Sequence, residues 1–330
     1  MKANLLVALF IILFLSITSK EPDAEIEIQT KSLGAELTSL KYKGIEYLHD
    51  GLSFWDQHSP ILFPIVGKLR YDETIINGET YEIPKHGFAM NSEFEKIGDH
   101  AYILTSNNET LDMFPFDFEL YVTYKVDKNK LFFNFTVINK TPRETMLFGI
   151  GGHPGFKCEY YKEKCEIEFE QKEEHIKIIP VNITEGIMST DIIDGNTVIV
   201  DKQYLKIKKD SFINDAIVFT DMTSKSVFLK NDGKKILKFN YDGFKYLGIW
   251  SAKGNAPYVC LEPWYNTPDY TNSTKEFSEK KDIIKLESGD KFEIGFSVEI
   301  IDDDDDASSI GTNLKYFSLL TIICLIGILI

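Results

Sequence analysis

Positive charge is in short supply in this sequence. Its 330 residues carry 36 Lys plus Arg against 51 Asp plus Glu, a formal net charge of −15. A partner with a phosphate backbone needs a basic face, so nucleic acid is excluded as a ligand. Cysteine is scarce as well: there are four, with no Cys-x-x-Cys pair, and no structural zinc site is expected. Long runs of helical period are missing from the body of the chain. That argues against an α/β fold, which needs helices of about ten or more residues between its strands. No internal repeat and no proline- or serine-rich linker divides the chain, so one domain is expected over residues 24–301.

What is present is β-type patterning. Residues 25–29, 131–137 and 291–300 alternate apolar and polar with period two. Asn77-Gly78 and Asp232-Gly233 sit between short apolar runs, the signature of hairpin turns, the second with a slightly longer loop. Many short strands at even spacing predict an all-β sandwich or barrel. A hydrophobic fraction of 43%, with 24 Phe and 16 Tyr, is enough for a large core.

Both ends resemble processing signals. Met1-Lys2 leads into eleven apolar residues, 5–15, followed by small residues, the outline of a secretory signal peptide over 1–19. Residues 302–306 are five aspartates, and 302–315 form an acidic and polar spacer. The fifteen residues 316–330 are almost wholly apolar and nothing basic follows them. This resembles a glycosylphosphatidylinositol signal, the alternative being a short membrane anchor. The expected location is the secretory pathway and the extracellular face of the plasma membrane, tethered through that tail or its replacement lipid. Asn108, Asn134, Asn139, Asn182 and Asn272 each open an Asn-x-Ser/Thr glycosylation triplet. In an oxidising compartment Cys158 and Cys165 can bridge a hairpin, leaving Cys260 unpaired and buried. No pattern in the chain specifies an oligomeric state.

Four stretches carry unusual polar groups, the first being Trp55 to Arg70, an apolar run that ends in the two cations Lys68 and Arg70, as an ordinary solvated end also would. Gly149 to Phe156 places His153 in a glycine-rich turn next to Pro154, although a structural turn holding a satisfied core histidine has the same pattern. Pro84 to Ala89 places His86 at the mouth of an expected strand. Tyr258 to Tyr265 places Glu262 among apolar and aromatic residues. Burial there raises a carboxyl's pKa and makes it a usable base, while the plainer alternative is a salt-bridged strand end.

The segments Leu62-Phe63-Pro64-Ile65-Val66-Gly67, His86-Gly87-Phe88-Ala89, Gly151-Gly152-His153-Pro154-Gly155-Phe156 and Leu261-Glu262-Pro263-Trp264 resemble, in that order, those of the aldose 1-epimerase (mutarotase) family. Within it the chain resembles the branch named after the LacX protein. The resemblance implies a large antiparallel β-sandwich of the galactose mutarotase-like supersandwich type, and interconversion of the anomers of a monosaccharide without metal or organic cofactor. It implies Glu262 as general base on the anomeric hydroxyl and His153 as general acid on the ring oxygen, paired as carboxylate and imidazolium. By the same resemblance His86 hydrogen-bonds the sugar near that oxygen, and Arg70 and Asp215 fall near substrate-binding positions. Leu69 replaces the asparagine that precedes the arginine in galactose mutarotases, which weakens galactose specificity. With only Arg70 and Arg143 in the chain, a phosphosugar is not the expected substrate. Phe88, Phe156, Trp250 and Trp264 are candidates to lie against the sugar, or else core. The alternative function is a surface carbohydrate-binding protein without turnover.

Overall fold

The computed structural model describes residues 25–302. The signal-peptide expectation, and those for the spacer beyond Asp302 and for the apolar tail, lie outside them. Among the described residues no helix is long and apolar enough to cross a membrane.

The alternation seen in the sequence becomes two large antiparallel sheets. The first has nine strands, in the order Tyr204–Lys206, Cys165–Phe169, Ser226–Asn231, Lys234–Asn240, Lys291–Ile300, Lys130–Asn139, Phe118–Asp127, Ala101–Thr105 and Glu95–Gly98. Phe118–Asp127 and Lys130–Asn139 bury every second side chain, as expected for strands with one face on a core. The second sheet has eight strands. Its path runs Ile193–Asp194, Lys177–Ile179, Ile217–Thr220, Tyr246–Trp250, Tyr258–Trp264, Gly151–Gly152 and Ile61–Leu62, with Gly155–Lys157 also paired to Tyr258–Trp264. Phe156 of this sheet meets Phe239 of the other at 6.1 Å, and Phe296 stacks on Phe133 at 4.2 Å in the layer between them. This is the expected all-β sandwich. Among the described residues, α-helix amounts to one six-residue piece, Asn108–Met113, capped by Asn107 and Thr110.

Asn77-Gly78 forms the expected two-residue turn between Thr74–Ile76 and Glu79–Tyr81, both turn residues at positive φ. The loop at Asp232-Gly233 is not longer, as expected, but also two residues. A bulge between Leu229 and Lys230 absorbs the extra residue instead. Cys158 and Cys165 form a disulfide, and Cys260 is free and buried.

Burial separates the glycosylation triplets. Asn108, Asn134 and Asn272 are exposed, and Asn182 is half-buried. Asn139 is fully buried: its amide donates to the carbonyls of Glu144 (2.7 Å) and Leu286 (2.8 Å) and accepts from the Thr141 N–H (2.8 Å). A glycan there would leave buried backbone groups unpaired, at about 1–3 kcal/mol each. Glycopeptide mapping of protein from a secretory host is therefore expected to find Asn139 unmodified. A glycan on Asn139 of folded protein would contradict this packing.

Candidate active site

The strand Tyr258–Trp264 organises the site. All seven of its residues are buried, because both of its faces are covered. Alternation sends Val259 and Leu261 to one face and Tyr258, Cys260, Glu262 and Trp264 to the other. A carboxylate thus stands inside a strand that reads as apolar.

Strand pairing sets what stands beside that carboxylate. On one side, Gly151 pairs with Trp264 and Gly155 with Cys260. The two pairs share one register, which puts His153 level with Glu262 where the paired chain is interrupted. Side chains level across neighbouring strands are in contact range. His153 Nε2 accordingly lies 3.1 Å from Glu262 Oε2. The His153 backbone N–H donates to the Pro60 carbonyl at 3.1 Å, and the Leu261 N–H donates to the Pro154 carbonyl at 3.1 Å, so the turn is clamped on both sides.

On the other side of Glu262 the paired residue is Gly248. A Cβ there would stand 3.0 Å from Trp264 Cζ2 and 3.3 Å from Glu262 Cβ. Gly248→Ala is expected to displace the Trp264 ring, lower the unfolding free energy by about 1–3 kcal/mol and weaken sugar binding. Urea titration and a binding isotherm check this; a variant with wild-type values in both would show that the room beside Glu262 is not needed.

His86 reaches the same place from a separate loop. It has φ +67°, a left-handed conformation that is costly for a side-chain-bearing residue and concentrates at functional sites. Its neighbour Gly87, at φ +78°, could not carry a Cβ, which would stand 2.0 Å from the Phe63 carbonyl oxygen. Gly67 holds His86 twice: the Gly67 N–H donates to His86 Nδ1 (3.0 Å), and the His86 N–H donates to the Gly67 carbonyl (2.8 Å). Because Nδ1 accepts, the neutral ring carries its proton on Nε2. The His86 and His153 rings stand perpendicular, 5.7 Å apart. Trp55 at 4.9 Å and Trp250 at 5.6 Å complete the surround of His153.

These groups line one cavity of about 260 Å³. His86, His153, Asp215 and Glu262 are all in its wall, together with Trp250 and Trp264. Asp215 shares with His86 a positive φ, +71°, and its carboxylate accepts from the Ala216 N–H. Arg70 does not line the cavity. Its backbone N–H is held by Asp269 (2.9 Å), its guanidinium donates to the Ser273 carbonyl (3.2 Å), and it lies over the Tyr71 ring. The cation in the wall is Lys85. Phe88 and Phe156 belong to the core, and Trp55, which opens the Trp55–Arg70 stretch but was not among the aromatics expected against the sugar, is in the wall. Trp55 follows Phe54 in a loop outside the four family-like segments. Lys85 adjoins His86 and was legible by position only.

Burial governs the electrostatics. Desolvation pushes the Glu262 carboxyl well above its ordinary range, against a smaller downward pull from Lys85. Desolvation pushes the His153 imidazole down to about 3, and His86 also well down, where His153 and Lys85 add repulsion. Burial thus disfavours charge on both partners of the close pair and favours a carboxylic acid against an imidazole. This differs from the carboxylate and imidazolium expected from the residue types, because a dry wall disfavours both charges. The two share one proton either way.

A third donor stands beside them. One ligand atom each from His153, Cys260 and Glu262 falls within 4.8 Å of the others, and all three residues are buried. The sequence shows no metal pattern here, since His153 comes from a different strand neighbourhood more than a hundred positions earlier.

The sequence model of the family described as "Aldose 1-epimerase" matches residues 16–285. The chromosomal LacX protein of Lactococcus lactis subsp. lactis is 31% identical over 293 aligned positions, covering 84% of this chain and 97% of that one. Among solved structures, a galactose mutarotase related enzyme from Lactobacillus acidophilus superposes with a TM-score of 0.78 at 29% identity, covering 86% of this chain and 96% of its own. A galactose mutarotase-like protein from Lactobacillus casei gives 0.77 at 25% identity, covering 84% and 97%. With the family's motifs assembled around one cavity and the family's model matched over most of its length, this chain belongs to the aldose 1-epimerase family.

Proposed function

We propose that this protein interconverts the α and β anomers of a free aldose by acid–base ring opening and closure. The observation that carries the reading is the 3.1 Å contact of His153 with Glu262 in the wall of a cavity the size of a single sugar ring. A cyclic sugar opens when the anomeric hydroxyl loses a proton and the ring oxygen gains one. Both oxygens are bonded to C1, so the accepting and donating groups have to be neighbours, as these two are. A proton shift within the pair makes Glu262 a carboxylate and His153 an imidazolium. Glu262 then takes the hydroxyl proton while His153 protonates the ring oxygen and the C1–O bond to it breaks. Rotation about C1–C2 and closure on the other face return both protons. The Nε2–H of His86 donates to the sugar near the ring oxygen, and Asp215 accepts from a hydroxyl.

Among the described residues Lys85 is the one Lys or Arg in the cavity wall, which favours a free sugar over a phosphosugar. The withdrawal of Arg70 favours one alternative, carbohydrate binding without turnover. Saturation-transfer NMR between the anomers of a panel of aldoses separates them. Enzyme-catalysed exchange above the buffer rate is expected for at least one sugar. Binding without faster exchange on any of them would establish the alternative. The Cys158–Cys165 disulfide supports a place in the secretory pathway, with the tail as lipid-attachment signal or anchor. Release from cells by phosphatidylinositol-specific phospholipase is the expected result for a lipid anchor.

A further inference from the structure

We propose that His153, Cys260 and Glu262 form a binding site for a thiophilic divalent cation of the zinc and cadmium class, and that its occupation shuts off the acid–base pair. Cys260 precedes Glu262 by two positions and shares its face of the strand Tyr258–Trp264. On one side of each donor the paired residue is a glycine, Gly155 next to Cys260 and Gly248 next to Glu262, while Trp250 pairs with Cys260 on its other side. The three donor atoms already lie within 4.8 Å of one another. His153 is 8% exposed, and its Nδ1 has no hydrogen-bond partner although it is buried. Cys260 is in no disulfide.

Cysteine sulfur, histidine nitrogen and carboxylate oxygen are each zinc donors, and three protein ligands leave a fourth position open. Two of the three donors, His153 and Glu262, line the cavity. Thiolate sulfur selects zinc or cadmium over magnesium or calcium, which prefer all-oxygen sites. On binding, the S–H bond of Cys260 and the O–H bond of Glu262 break heterolytically. Both protons leave to solvent through the cavity, and the two negative charges formed balance the dication in a dry setting. No electron is transferred. With its carboxylate and imidazole engaged by the metal, the pair has no proton to move, so anomer exchange stops. This last consequence rests on the proposed function; the binding itself does not.

The test is titration of the full chain with Co²⁺ as a spectroscopic probe, and with Zn²⁺ and Mg²⁺ by calorimetry. One Co²⁺ per chain with thiolate-to-metal charge-transfer absorption is expected, displaced by Zn²⁺ and not by Mg²⁺. Cys260→Ser should abolish the charge-transfer band. Glu262→Gln keeps the thiol and should weaken binding at least about 10-fold, the least that losing even an outer-shell partner costs. Absence of the band in wild-type protein, or a band of unchanged affinity in both variants, would overturn the proposal. If the protein exchanges anomers, zinc should suppress that exchange and a chelator restore it. Exchange unaffected by zinc at full occupancy would remove the inhibitory role while leaving the binding result standing or falling on its own.

Discussion

Glu262→Gln is expected to slow anomer exchange by about 10²–10⁴-fold, the range for losing a general base. The amide keeps the size of the carboxyl but has no basic oxygen of comparable strength, so it accepts no proton from the anomeric hydroxyl. Protein stability should not fall with activity. Glu262 is 2% exposed and its carboxyl is held above its ordinary range by burial, which favours its neutral form in the folded protein. A neutral amide is an adequate replacement. Saturation-transfer NMR and denaturant unfolding measured on the same preparation check the two halves. A variant that unfolds, or that turns over at the wild-type rate, would contradict the role assigned to Glu262.

His153→Ala is expected to cost at least about 10²-fold in exchange rate, the minimum for a missing general acid. The side chain borders a cavity that already exists, so its removal enlarges that cavity rather than opening a sealed void in the core. The fold should survive, as circular dichroism and an unfolding curve would show. Exchange near the wild-type rate would mean that the ring oxygen receives its proton from elsewhere.

The same pair predicts how stability varies with pH. For Glu262 the folded pKa lies above the ordinary value of 4.5. The folded state then holds a proton that the unfolded state releases, and stability falls as pH rises beyond 4.5. For His153 the folded pKa is lowered from 6.5 to about 3. The unfolded state takes up a proton that the folded state refuses, and stability falls as pH drops below 6.5. Where both groups act the contributions oppose each other, and on the alkaline side the fall belongs to Glu262 until its folded pKa is reached, at up to about 1.4 kcal/mol per pH unit. Glu262→Gln should remove that alkaline slope, and His153→Ala the corresponding acid slope. Urea midpoints over a pH series check both signs.

How much of this was legible beforehand differs from part to part. Strands 130–139 and 291–300 were legible because each buries one face, so period two survives in the residues. The strand Tyr258–Trp264 has no such period, since both faces are covered, and Glu262 stood out only as the carboxyl in an apolar run. That Glu262 faces His153 was not legible from spacing, because register between strands a hundred residues apart is set by pairing, not by local pattern. The resemblance to a family supplied the order of the motifs. It also brought Arg70, which the turn after Gly67 and the hold of Asp269 on its N–H keep out of the cavity wall. Trp55, Lys85 and Cys260 lie within stretches that stood out in the sequence, but their places around the pair appear only when the sheet is assembled. The charge state of the pair depends on the dryness of the wall, a property of the packed fold that residue type does not carry.

The most direct test of the central claim is a crystal structure of the protein with a free aldose bound. The account predicts the anomeric hydroxyl within about 2.6–3.2 Å of the Glu262 carboxyl and the ring oxygen at the same range from a nitrogen of His153. A sugar seated with its C1 turned away from both residues, or bound outside the cavity they line, would contradict it.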